Sequence, residues 1–204
     1  YSGGNISVFS INEDGTINPI SQRIDFNEEG NEESHIHTVM FSPDEKYLLA
    51  TDLGKDKIYQ FEVLSGKKDK FIDLMPSKTL LLERGSGPRH LAFHPKKGYL
   101  YCINELGGTV TVFEKVKDNW TQIQNIESDI TDGDEEKGSA DIHLTPDGKF
   151  LYTSNRLQKD GISIFSVDER TGKLAHIGYQ RTGIHPRNFI LSPDGKFLLC
   201  ANME

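Results

Sequence analysis

The chain of 204 residues is poor in several things that would each have named a function class. No run approaches the roughly 18 apolar residues that a membrane-spanning helix needs, so no membrane partner is expected. Basic side chains are the minority, 23 against 31 acidic ones, for a net charge of −8. Binding to nucleic acid or to an anionic surface depends on Lys and Arg neutralising phosphates, so neither is expected. The acidic excess gathers at Asn27 to Ser34 and Asp132 to Lys137, which read as solvated loops. Only two cysteines occur, Cys102 and Cys200, each seven residues after a proline. They read as small buried strand residues of a reducing compartment, which predicts a cytoplasmic location. No segment carries a helical apolar stripe. Ser86, Ser139 and Ser154 lack a nucleophile-elbow pattern, which disfavours a serine hydrolase. His35-Ile36-His37 puts two imidazoles on one side of an extended segment, but no Cys or carboxylate cluster accompanies them. No metal or other cofactor is expected.

What the chain has is a repeat. Phe9, Phe61, Phe113 and Phe165 recur at intervals of 52, and Pro43, Pro95, Pro146 and Pro193 at intervals of 52, 51 and 47. Each phenylalanine ends a short alternating segment such as Thr109-Val110-Thr111-Val112-Phe113. Each proline sits in a turn, as in Thr145-Pro146-Asp147-Gly148, with apolar runs on both sides. A hairpin, the Phe-ended strand and a weaker fourth strand make one antiparallel blade of about 50 residues. The pattern predicts an all-β propeller within a single domain, 1–204. Its blades fall near 35–86, 87–138 and 139–183, with halves at 1–34 and 184–204. An open arc would leave strand edges unpaired, so a longer chain is expected, with residue 1 falling inside a repeat.

Counting from each proline locates the chemistry. Position −6 holds His37, Arg89, Ala140 and Arg187, and position +10 holds Leu53, Glu105, Arg156 and Met203. Both lie at the open end of the hairpin, which puts Arg89 beside Glu105 and Arg156 near Ser139 and Asp141. Position +9 adds Asp52, Asn104, Asn155 and Asn202 to the same expected rim. A concave polar ring of this kind suits ligand binding, and its guanidiniums suit an anion. The Arg89–Glu105 pair taken alone reads equally well as a structural ion pair sealing a blade. His94, at the far end of its hairpin, reads as structural, and His143 on an inner strand stays open.

At these residues the chain resembles the seven-bladed propeller lactonase family of the 6-phosphogluconolactonase type, related to carboxymuconate cyclases. The resemblance rests on Gly85-Ser86-Gly87-Pro88-Arg89-His90 with Asn104-Glu105-Leu106, and on His185-Pro186-Arg187-Asn188-Phe189 with Ala201-Asn202. His35-Ile36-His37 with Asp52 to Asp56, and Ser139 to His143 with Ser154-Asn155-Arg156, fit as well. It implies seven blades, of which about four are visible. It also implies hydrolysis of a sugar lactone, 6-phosphogluconolactone, in the pentose phosphate pathway. By motif the acting residues would be His37, Arg89, Glu105 and Arg156. Arg187, Asn104, Asp52, His185 and Asn155 would bind the anionic small-molecule substrate. Glu105 or His37 would be the general base and Arg89 or Arg156 the oxyanion stabiliser. A muconate lactone cycloisomerase and a non-enzymatic binding propeller are the alternatives.

Overall fold

Alternating apolar runs closed by tight turns can satisfy their backbone groups only by pairing side by side. In the computed structural model, which describes residues 2–27, 33–64, 66, 70–131 and 135–204, they form antiparallel sheets. Of the two acidic segments expected to be solvated loops, 28–32 and 132–134 lie outside the described residues. The chain divides into two compact units, Tyr1–Leu82 and Glu83–Glu204.

In the first unit, β1 (Asn5–Ile11) pairs with β2 (Ile17–Asp25). A second sheet runs β3 (Ile36–Phe41), β4 (Tyr47–Asp52), β5 (Lys57–Val63) and β6 (Ile72–Leu74). Its fourth strand is split, because β7 (Leu80–Leu81) also pairs with β5 after a 3-10 turn at Pro76–Lys78. The second unit holds two four-stranded sheets. One is β8 (Pro88–Phe93), β9 (Tyr99–Asn104), β10 (Thr109–Val116) and β11 (Asn119–Glu127). The other is β12 (Gly138–Leu144), β13 (Phe150–Arg156), β14 (Gly161–Val167) and β15 (Leu174–Arg181). A hairpin of β16 (Asn188–Leu191) and β17 (Leu198–Ala201) follows. Strand β12 packs beside both β8 and β16, so the first strands of three successive sheets lie next to one another.

The repeated residues explain the repeated sheets. In the turns, Ser42, Thr145 and Ser192 each donate a hydroxyl to the aspartate two residues on, at 2.6 Å. In the odd copy, His94 accepts the Lys96 N–H on Nδ1, so it fills the slot of that hydroxyl and is structural. Phe61, Phe113 and Phe165 are buried in their sheets, while Phe9, in a sheet of two strands, is half exposed. The core of the second unit runs from Tyr101, Ile103 and Val112 to Ile142, Leu151 and Phe165, spanning both four-stranded sheets.

One side chain staples neighbouring sheets in each unit. Gln124 on β11 donates to Leu174 O and accepts from Leu174 N on β15, at 2.8 and 2.7 Å. Gln22 on β2 does the same to β6, donating to Ile72 O at 2.7 Å and accepting from Phe71 N and Ile72 N. A carboxamide offers one donor and one acceptor in a plane, so it mimics a backbone peptide and extends the ladder across the gap between sheets.

Candidate functional site

Three first strands begin with the same irregularity. The register slips by one residue between Ile36 and Thr38, between Pro88 and His90, and between Ser139 and Ile142. Counted from the prolines, the residues skipped at β3 and β8 are His37 and Arg89 of the −6 column, and at β12 Ala140 and Asp141 together face the single residue Ser154. A β-bulge turns its side chain away from the normal alternation, which is why such features sit beside sites. At β8 the approach to the bulge needs glycine. Gly87 has φ +63°, and a Cβ there would meet Leu106 at 2.6 Å.

In the second unit this geometry gathers a charged cluster. Glu105 follows β9, its N–H bonded to Gly87 O at 2.7 Å and its carbonyl accepting from Ser139 N of the next sheet. Its Oε2 lies 2.8 Å from Arg89 Nε and its Oε1 2.9 Å from the Arg156 guanidinium. Both arginines are almost fully buried, while Glu105 keeps 23% of its side chain open. Arg89 also donates to Ala140 O and contacts His90 Nε2 at 3.2 Å. Arg156 donates to Gly138 O at 2.9 Å and contacts His185 Nε2 at 3.3 Å. One carboxylate therefore ties two sheets together, and each guanidinium presents an N–H to an imidazole acceptor.

The charges shape one another. Burial pulls the Arg89 pKa down, Glu105 opposes that, and Arg156 and Arg187 add to it. Burial, Arg156 and Arg187 likewise lower the His185 pKa. A neutral imidazole is what the Arg156 contact requires, because a protonated ring has no acceptor left. His185 adopts φ +58° and Leu157, next to Arg156, φ +82°. Left-handed backbone at non-glycine residues is uncommon and concentrates at sites whose surroundings hold it in place. Asp160 supplies part of that hold, accepting the His185 N–H at 2.7 Å.

An open pocket of about 470 Å³ fronts the cluster, its lining including Arg89, His90, His185, Arg187, Asn188 and Asn202. Behind it lies Asp141. Its Oδ1 is 2.8 Å from His90 Nδ1, and its Oδ2 accepts from Asn188 Nδ2 at 2.7 Å and Phe189 N at 3.1 Å. His143 Nε2 is 3.2 Å from the same Oδ2. Burial raises the Asp141 pKa, but the hydrogen bonds of His143, His90 and Phe189 and the His143 charge outweigh it. The carboxyl is held well below the usual range.

The structure divides the expected site residues. It brings Arg89, Glu105, Arg156, His185 and Arg187 together. His37 and Asp52 belong to the other unit, with His37 at the bulge of β3. Three of the four +9 residues do not line a rim, whereas Asn202 is exposed and lines the pocket. Asn104 is buried and donates to Thr109 Oγ1 and Thr111 Oγ1, both at 2.8 Å. Asn155 is buried among Ser128, Ser139 and Ser163. Asp52 is buried, accepting from Ser34 Oγ at 2.6 Å, His35 N at 2.8 Å and Lys55 N at 3.2 Å. The reason is strand alternation: if +10 faces the open side, +9 faces into the sheet. Asn104 and Asn155 brace segments next to the site, and Asp52 braces the start of β3 in the other unit. Among the described residues, no group of three His, Cys, Asp or Glu side chains is arranged to hold a metal.

Sequence reasoning missed the second ion pair of Glu105 and the Asp141 hub. The signal for the hub was present at position −5, where His90, Asp141 and Asn188 follow one another on adjacent strands.

Comparison with known proteins gives a consistent picture. The family model "Lactonase, 7-bladed beta-propeller" matches residues 1–204. A 6-phosphogluconolactonase of Formosa agariphila is 38% identical over 99% of this chain and 59% of its own length. A Bacteroides fragilis crystal structure, described as a candidate 6-phosphogluconolactonase, superimposes with TM-score 0.91 at 46% identity, covering 99% of this chain and 58% of that one. The periplasmic gluconolactonase of Pseudomonas aeruginosa superimposes with TM-score 0.89 at 30% identity, covering 97% and 56%. The chain thus spans somewhat under two thirds of the relatives it matches.

Proposed function

Since the chain belongs to the seven-bladed β-propeller lactonase family, we propose that the full protein opens 6-phosphogluconolactone to 6-phosphogluconate. The observation that carries this reading is Glu105 clamped between Arg89 and Arg156, where Arg89 lines a pocket that also presents Arg187 and His185. Opening a lactone adds water to the carbonyl, and the ring oxygen leaves from the tetrahedral intermediate. That requires a proton acceptor for the water and positive charge near the developing oxyanion. A carboxylate has about four acceptor positions, so Glu105 keeps lone pairs for a water after binding both arginines. The buried guanidiniums supply positive charge in a region of low dielectric, where it acts more strongly than in water. His37 stands as the alternative base, on the other unit. Both units are read as parts of one propeller domain.

The substrate class follows from the named relatives and from the arginines, which suit a phosphorylated sugar. We place the activity in the cytoplasm, where a phosphorylated sugar is retained. No helix of the described residues is long and apolar enough to cross a membrane.

The test uses full-length protein with two lactones, 6-phosphogluconolactone and a carboxymuconolactone. Saturable hydrolysis of the first, above its spontaneous opening, is expected. Turnover confined to the muconate lactone would transfer the site to a cycloisomerase, and turnover of neither would leave a binding propeller.

A further inference from the structure

The three guanidiniums around the pocket are not equivalent. Arg89 is held by contacts to Glu105, Ala140 O and His90, and Arg156 by contacts to Glu105, Gly138 O and His185, three for each guanidinium. Both are buried and fixed, so neither can turn and fork onto an incoming anion without breaking a bond it already makes. Arg187 is different. It is exposed, immediately precedes β16 and lines the pocket. Its backbone N–H is tied to Ala201 O at 3.3 Å, yet its side chain has no hydrogen-bond or ion-pair partner among the described residues.

His185 completes the set. Arg156 donates to its Nε2, which places the ring proton on Nδ1. Nδ1 also has no partner among the described residues. The pocket therefore offers one mobile guanidinium with a forked donor face and one neutral imidazole N–H, two residues apart, beside the Arg89–Glu105–Arg156 clamp.

We propose that Arg187, assisted by His185 Nδ1–H, is the specificity-determining contact for the phosphate tail of the substrate. Arg187 then distinguishes phosphorylated from unphosphorylated sugar lactones, while the buried pair Arg89 and Arg156 serves the reacting end. The assignment rests on the lactone-hydrolase reading above, and the test keeps the two separable.

Full-length wild type, Arg187→Ala and Arg187→Lys are assayed on 6-phosphogluconolactone and on unphosphorylated gluconolactone, with inorganic phosphate as a probe. Arg187→Ala is expected to raise KM for the phosphorylated lactone by roughly 10- to 100-fold, the usual range for a hydrogen bond to a charged group. On unphosphorylated gluconolactone the same variant should lose far less, so that the ratio of kcat/KM between the two lactones falls by most of that factor. Arg187→Lys should recover part of the loss, since lysine restores the charge but not the fork. Inorganic phosphate should compete with the substrate in wild type and lose that effect in Arg187→Ala. An equal loss on both lactones would overturn the assignment, as would an unchanged KM with phosphate inhibition retained. If neither lactone is turned over, the enzymatic reading fails, but calorimetry still decides the subsite. Phosphate binding that weakens in Arg187→Ala supports it, and absent or unchanged binding overturns it.

Discussion

Replacing Asp141 with alanine is expected to cost the folded protein on the order of 3–5 kcal/mol, the scale for removing one partner of a buried charged network. The position explains the size. His90 approaches Asp141 from β8, His143 lies two residues on along β12, and Asn188 and Phe189 approach from β16. Three neighbouring strands are thus pinned by one carboxylate, and its loss leaves the buried Phe189 N–H and the partly or fully exposed side chains of His90, His143 and Asn188 without their shared acceptor. Asp141→Asn keeps the volume but turns an N–H toward other donors, so it should be intermediate. Urea denaturation of the full-length variants measures this, and a loss under about 1 kcal/mol for Asp141→Ala would contradict it.

The same residue fixes the sign of an acid dependence. Its folded pKa lies below the ordinary value near 3.9, so the unfolded chain takes up the proton first as pH falls. The stability that Asp141 contributes is complete above about pH 4 and is lost as pH falls toward the depressed value. The gap between wild type and Asp141→Asn should therefore narrow below pH 4.

Glu105→Gln is expected to lower lactone turnover by about 10²- to 10⁴-fold, the range associated with a general base. Glutamine keeps the shape and can still accept from one guanidinium, so the variant should fold. Glu105→Ala goes further. Burial and the charges of Arg156 and Arg187 already press against protonated Arg89, and Glu105 is the opposing charge. Removing that carboxylate should cost stability as well as rate, again on the order of 3–5 kcal/mol. Turnover of Glu105→Gln within a few-fold of wild type, at normal thermal stability, would remove Glu105 as the base and favour His37.

The sequence made the sheets legible because their causes are local. The Phe and Pro columns mark period and turn, and hairpin pairing alone brings Arg89 to Glu105. Arg156 reaching Glu105 in the preceding sheet depends on how two sheets pack, which no register within one hairpin encodes. The bulges at His37 and Arg89 are similarly hidden, since the inserted residue has no special identity. Asn104, Asn155 and Asp52 misled because polar residues near a rim suggest exposure, whereas these three bond the chain's own hydroxyls and amides. His90, Asp141 and Asn188 form a column that becomes meaningful only once β8, β12 and β16 are known to be neighbours.

The most direct test of a lactone site at the Glu105 clamp is a crystal structure of the full-length protein with bound 6-phosphogluconate. The phosphate is expected on Arg187 and the newly formed carboxylate within reach of Glu105, Arg89 and Arg156. Product bound elsewhere, in a protein that turns over the lactone, would contradict it.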